Sequence, residues 1–180
     1  MLSFDYRAHG ETALQTKKNI SKLMEKIFAD IEIVITWVLK KQKERLLEEG
    51  IILFGRSLGG AIILTKGYID ERVKLLIAAC TRFDYHTVPS IKFSEEDIEF
   101  ISPLYYLKED SRNNERILIA HCQNDDIIPF TNLSQIQKQL GLNNENVIIY
   151  EMGKHAFSGY RHDLFKRSIE FINKNLKIIK

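Results

Sequence analysis

The stretch Phe54-Gly55-Arg56-Ser57-Leu58-Gly59-Gly60 constrains this chain more than any other. It follows the apolar run Ile51–Phe54 and opens a second one, Ala61–Leu64. A buried strand, a tight turn and a helix is the simplest conformation for that order. Gly55 and Gly59 flank Ser57 in the spacing G-x-S-x-G. Neither glycine has a Cβ, so strand and helix can approach closely around a serine held in a strained conformation. Such a turn lifts the Ser57 hydroxyl past the carboxyl end of a sheet. It also leaves the Leu58 N–H at a new helix N-terminus, beside any oxyanion that forms. The same spacing occurs in ordinary Gly-rich turns, so its meaning depends on what the other strands deliver.

Apolar runs and helical periods alternate along the rest of the chain. Leu2–Tyr6 reads as a strand and Arg7-Ala8-His9-Gly10-Glu11-Thr12 as a polar loop. Ile20, Leu23, Met24, Ile27, Ile31, Val34, Ile35 and Val38 recur at helical spacing. They predict one or two amphipathic helices ending near Glu49-Gly50, with Lys40, Lys41, Lys43 and Arg45 on a solvated face. A helix over roughly Gly59–Tyr68 and a buried strand over Val73–Ala79 follow. Arg82–Glu115 has no strong period; it holds Pro89 and Pro103, a short acidic helix near Glu95–Phe100 and the pair Tyr105-Tyr106. Ile117–Ala120 and Val147–Tyr150 read as strands, Thr131–Leu140 and His162–Leu176 as helices. The expected fold is α/β, a mostly parallel sheet flanked by helices.

The chain of 180 residues fits one domain spanning 1–180, with 82–115 as a short insert, and a hydrophobic content of 44% suits a packed core. A net charge of +2 gives no basis for nucleic-acid or membrane binding. The first residues have no basic and apolar signal pattern, and the longest apolar stretch, Ile33–Leu39, is too short to span a bilayer. A cytoplasmic protein is the expectation. Cys80 and Cys122 make neither a disulfide framework nor a zinc pattern and read as buried free thiols.

In parallel sheets active groups lie just past the carboxyl ends of the strands. Ile51–Phe54 is followed by Ser57, Ile117–Ala120 by His121-Cys122-Gln123-Asn124-Asp125-Asp126-Ile127-Ile128-Pro129, and Val147–Tyr150 by Gly153-Lys154-His155-Ala156-Phe157. A hydroxyl, a carboxylate and an imidazole therefore follow three strands in the order Ser, Asp, His. With these residues the sequence resembles the α/β-hydrolase serine hydrolases, whose triad has that order. His121 to Pro129 resembles the family's acid loop; aligned on Pro129, the acid falls on Asp125 rather than Asp126. Phe4 to Thr12 is similar to a further loop of the family. Within the superfamily the chain looks closest to prolyl-oligopeptidase-type peptidases and small-lid acyl hydrolases.

The resemblance implies a nucleophile Ser57, a general base His155, an orienting acid Asp125 and an oxyanion donor in the Leu58 N–H. It implies cleavage of a small acyl or peptide substrate (ester, thioester or amide) through an acyl-enzyme, with no cofactor and no metal. An acyltransferase on the same triad is the weaker variant. Residues 82–115 sit where the family inserts a lid, which Tyr105 or Tyr106 would use to line the substrate pocket. From the residues alone other readings stay open: Asp125 as a turn residue, His155 as a surface histidine, Tyr105 and Tyr106 as core packing. His121 is expected to be structural. His121, Cys122 and Asp125 lack a fourth ligand for a metal site.

The sequence departs from the family in three ways. Ala8 and Cys122 stand where glycine is usual. The resemblance also makes Leu2–Tyr6 the family's fourth strand, so about three earlier strands and the loop with the second oxyanion donor are missing. The expectation is an N-terminally truncated fold with an exposed sheet edge. The alternative function is then a catalytically impaired fragment or pseudo-enzyme. Its partner at the edge would be a complementary N-terminal chain or, as a homo-oligomer, a second copy. Cys80 and Cys122 would end neighbouring strands, and could pair only if their sulfurs face one another.

Overall fold

The computed structural model describes residues 2–7, 23–41, 50–88 and 93–176. The expectations for Ala8 to Thr12, Ile20, Lys43, Arg45, Glu49 and Pro89 lie outside these residues.

Four apolar runs make one parallel sheet: β1 (Ile51–Arg56), β2 (Val73–Ala79), β3 (Ile117–Cys122) and β4 (Val147–Tyr150), side by side in that order. Their registers place Phe54 beside Ile77, Ala79 beside Ala120, and Cys122 beside Tyr150. β2 and β3 are buried on both faces, which is why they read as unbroken apolar runs.

Alternation along the strands divides the core in two. Leu76, Ala78, Ile117, Ile119 and Val147 face one side. There they pack with α1 (Met24–Lys41), α2 (Leu58–Ile62), α3 (Glu95–Ile101) and α5 (Thr131–Leu140). A short α4 (Asn113–Arg116) leads into β3. Leu75, Ile77, Leu118, Ala120 and Ile148 face the other side, packing with Leu164 and Phe171 of α6 (Arg161–Leu176). The result is a helix–sheet–helix sandwich with the strand ends free to carry loops.

Two helix boundaries follow directly from local chemistry. α5 stops at Gly141, whose φ of 67° is the left-handed conformation that glycine adopts without cost. α3 starts at a capping box, in which Ser94 accepts from the Asp97 N–H and Asp97 from the Ser94 N–H. The helix after the Ser57 turn is α-helical only over α2 and widens into a π turn over Ile63–Gly67. Gly67 there lies against Leu53 and Leu76, where a Cβ would stand 2.7 Å from the Leu53 side chain.

The strand expected over Leu2–Tyr6 is absent: these residues form no ladder. Among the described residues β1 has a neighbour only in β2, so its other edge is not taken by Leu2–Tyr6. A run with strand propensity but no partner does not become a strand. Leu2 and Phe4 are exposed, and Arg7 instead anchors on Asp30 of α1 through its backbone N–H and its guanidinium. β1 is correspondingly the least covered strand, with Phe54 55% exposed.

These exposures set two contrasting stabilities. Leu76→Ala, at a fully buried position, is expected to cost about 2–5 kcal/mol. Phe54→Lys is expected to change stability by no more than about 0.5 kcal/mol. Urea unfolding of the two variants measures both.

Candidate active site

Ser57 sits between β1 and α2 with φ 56° and ψ −120°. That conformation is costly for a residue with a Cβ, by about 1–3 kcal/mol. The surroundings enforce it. The Ser57 N–H is tied to Ala79 O at 2.9 Å, continuing the β1–β2 ladder into the turn. A Cβ on Gly55 would stand 2.2 Å from Gly59 O, and one on Gly60 would stand 1.9 Å from Thr81 Oγ1. Two glycines thus let the helix fold back onto its own strand and onto the end of β2. The Ser57 Oγ does not cap α2. The Leu58 N–H opens that helix.

The acid loop leaves β3 through a turn built on Asp125. Its Oδ1 accepts the Ile127 and Ile128 N–H groups, each at 2.9 Å, and its Oδ2 lies 2.9 Å from His155 Nδ1. One oxygen of Asp125 thus makes the turn and the other meets the imidazole. Burial pushes the Asp125 carboxyl up, but the donors around it outweigh burial and hold it below the usual carboxylate range. The carboxylate side chain is fully buried, and His155 retains 13% exposure.

The loop that brings His155 there is bent by four left-handed residues: Gly153, Lys154, Phe157 and Gly159. The Lys154 N–H bonds Asn124 Oδ1 across to the acid loop at 2.9 Å. Phe157 is buried and packs edge-on against Tyr150 at the end of β4. Asp126 is outside this arrangement, half exposed, with Lys154 Nζ 3.7 Å away.

Ser57 thus stands at the end of β1, and Asp125 and His155 are joined. No hydrogen bond links Ser57 Oγ to His155. Tyr105 and Tyr106, expected to line a substrate pocket or to pack in the core, make contacts within the fold. Tyr106 accepts Lys66 Nζ at 2.5 Å and donates to Phe100 O at 2.9 Å, fastening α3 to the helix that follows Ser57. The Lys66 ammonium also lies 3.4 Å from the Phe100 ring centre, a cation–π contact. Tyr105 stays half exposed, its ring 6.3 Å from that of His86.

Two residues gain importance that the strand-end pattern did not give them. His121 is 1% exposed, with Nε2 3.1 Å from Ile128 O and 3.2 Å from Asp125 Oδ2. A carbonyl only accepts, so Nε2 carries the proton. Burial, partly opposed by Ile128 O and Asp125, lowers the pKa of His121 and keeps it neutral. Cys80 ends β2 with φ 46°, fully buried, against Asp125 and His155. Only the motif likeness could have pointed to His121, and nothing in the sequence points to Cys80. Both cysteines are free and buried, as expected. Burial and the Asp125 charge raise both thiols, so neither is a thiolate near neutral pH.

The cleft between β3, β4 and α6, lined by Leu118, Ile148, Phe171, Glu145, Arg167 and Lys174, contains none of these residues. Among the described residues no helix is long and apolar enough to cross a membrane.

No family model matches the sequence, and no curated protein matches it. Solved structures do. The esterase domain of a Rhodothermus marinus protein aligns at 17% identity and a TM-score of 0.59, over 81% of this chain and 66% of that one. The Pyrococcus horikoshii acylaminoacyl peptidase aligns at 19% identity and a TM-score of 0.65, over 89% of this chain and 30% of that one. The mouse alpha/beta hydrolase domain-containing protein 10 aligns at 19% identity and a TM-score of 0.61, over 94% of this chain and 76% of that one. The chain therefore spans less than two thirds of the first two. At these identities the likeness is one of fold.

The lowered pKa of His121 generates a pH prediction. A base whose folded pKa lies below its unfolded value contributes stability above the unfolded pKa, about 6.5. That contribution is lost as pH falls from 6.5 toward the folded value. Unfolding free energies measured from pH 8 to pH 5 are expected to decline with acid in the wild type, and less steeply in His121→Asn.

Proposed function

Because the chain has the α/β-hydrolase fold, we propose that it is a serine hydrolase acting on a small carboxylic ester, thioester or amide. The observation that carries this reading is the buried pair of Asp125 Oδ2 and His155 Nδ1 at 2.9 Å, at the same sheet end as the strained Ser57 turn.

Asp125 holds the imidazole with its proton on Nδ1, which leaves Nε2 free as a base. Ser57 Oγ attacks the substrate carbonyl while His155 Nε2 takes its proton. The tetrahedral oxyanion meets the Leu58 N–H at the start of α2. Collapse expels the alcohol, thiol or amine, which receives the proton from His155, and leaves an acyl group on Ser57. Water, deprotonated by the same imidazole, releases the acid. The missing Ser57–His155 hydrogen bond is one that substrate binding closes, as in many unliganded hydrolases. The structural neighbours named esterase and acylaminoacyl peptidase suit this chemistry.

Hydrolysis of p-nitrophenyl acetate tests the reading. Ser57→Ala and His155→Ala are each expected to lower kcat by about 1,000-fold or more with the fold retained. Unchanged turnover in either variant refutes the assignment.

Among the described residues no strand pairs with β1 on the side away from β2, which favours a second reading, in which the site works only with a further strand laid along β1. Phe54 is exposed on that strand, three residues before Ser57. A complementary chain, or a second copy, would pair with that edge and bring a second oxyanion donor near Ser57. Light scattering combined with activity separates the readings. The second predicts an inactive monomer, and activity that appears only in an assembled species. A monodisperse monomer with full esterase activity excludes it.

A further inference from the structure

The end of β2 lies between the two halves of the site, and nothing in the mechanism above uses it. Ala79 O takes the Ser57 N–H at 2.9 Å, and the Cys80 N–H is given to Ala120 O at 2.8 Å. Thr81 packs against Gly60 of α2. Cys80 between them is fully buried and has φ 46°. Left-handed backbone at a residue with a Cβ persists only where the surroundings over-determine it. The Sγ of Cys80, a carboxylate oxygen of Asp125 and a ring nitrogen of His155 all lie within 4.8 Å of one another.

We propose that Cys80 is a positioning residue, whose thiol donates its proton toward the Asp125 carboxylate and so fixes the carboxylate against His155. The proposal rests on the serine-hydrolase reading and deepens it. Asp125 Oδ1 is already saturated by the Ile127 and Ile128 N–H groups, so it sets the loop. Oδ2 faces His155, which needs it, and His121, whose Nε2 proton is shared with Ile128 O. Without a further donor, Asp125 can rotate toward His121 and slacken its hold on His155. A thiol suits the place. It is a weak donor that does not compete with the imidazole, and it stays protonated beside a buried carboxylate. The left-handed turn at Cys80 presents it there while β2 keeps its register.

The test compares wild type with Cys80→Ala, Cys80→Gly and Cys80→Ser. Glycine removes the thiol and relieves the backbone, so a folded variant without a donor is available even if alanine fails to fold. Serine retains a donor. The first readout is the low-field proton NMR resonance of the His155 Nδ1–H, assigned by its loss in His155→Gln. The second is p-nitrophenyl acetate kinetics. Without the thiol, the resonance is expected to move upfield or broaden, and kcat to fall about tenfold with KM unchanged. Cys80→Ser is expected to keep the resonance and to hold kcat within about threefold of wild type. A resonance and kcat unchanged in Cys80→Gly overturn the proposal, as does a serine variant as impaired as the glycine one. If the wild type shows no ester turnover, the hydrolase reading fails by itself, and the NMR comparison still decides whether Cys80 holds the Asp125–His155 pair.

Discussion

The structure depends on a row of main-chain hydrogen bonds that carries the parallel ladder one residue past the ends of its strands. Ser57 N–H is bound to Ala79 O, Cys80 N–H to Ala120 O and Gln123 N–H to Tyr150 O, at 2.9, 2.8 and 2.8 Å. Each bond ties the first residue after one strand to a residue toward the carboxyl end of the next, Ala79, Ala120 or Tyr150. The segments bearing Ser57, Cys80 and Asp125 therefore start from fixed points on one rim, and Tyr150, the last acceptor, directly precedes the loop bearing His155. The sheet beneath can hold those points because β2 and β3 are buried on both faces by Leu75, Leu76, Ile77, Leu118 and Ile119. Backbone strain at Ser57, Cys80, Lys154 and Phe157 is concentrated on the same rim. A rigid sheet opposes that strain, and loops without such anchors would relax.

The buried charge at the rim, that of Asp125, is met by neutral donors and an imidazole rather than by Lys or Arg. The Asp125 carboxylate is fully buried yet held anionic, because two backbone N–H groups meet one oxygen and an imidazole meets the other. A buried carboxylate with these donors is a fixed negative charge for His155 to lean on. The neutral His121 beneath it adds a donor without adding charge. Tyr106 and Lys66 belong to a different task, fastening the 82–115 insert to the helix behind Ser57.

Much of this was legible in the sequence because local and global signals agree. Val73–Ala79, Thr131–Leu140 and Val147–Tyr150 stand where the apolar runs and Gly141 place them. The spacing around Ser57 announced a strained turn, and Gly55 has no room for a Cβ there; Gly59 faces open space, and the second close approach is that of Gly60 to Thr81. Leu2–Tyr6 misled because strand propensity says nothing about whether a run reaches a partner edge. The π turn over Ile63–Gly67 was invisible because its period differs little from that of an α-helix. Cys80 gave no signal because its left-handed backbone comes from the packing of β1, β2 and β3 together. The Lys66 contact of Tyr106 was not legible because an aromatic residue in an insert looks the same whether it meets a substrate, the core or a lysine.

The central claim is that this rim activates Ser57. Intact-mass spectrometry after incubation with a fluorophosphonate reads that directly, since the reagent phosphonylates only an activated hydroxyl and releases fluoride. The account predicts one adduct per chain on the wild type, and none on Ser57→Ala. A folded wild type that takes no adduct, or an adduct that persists in Ser57→Ala, would contradict it.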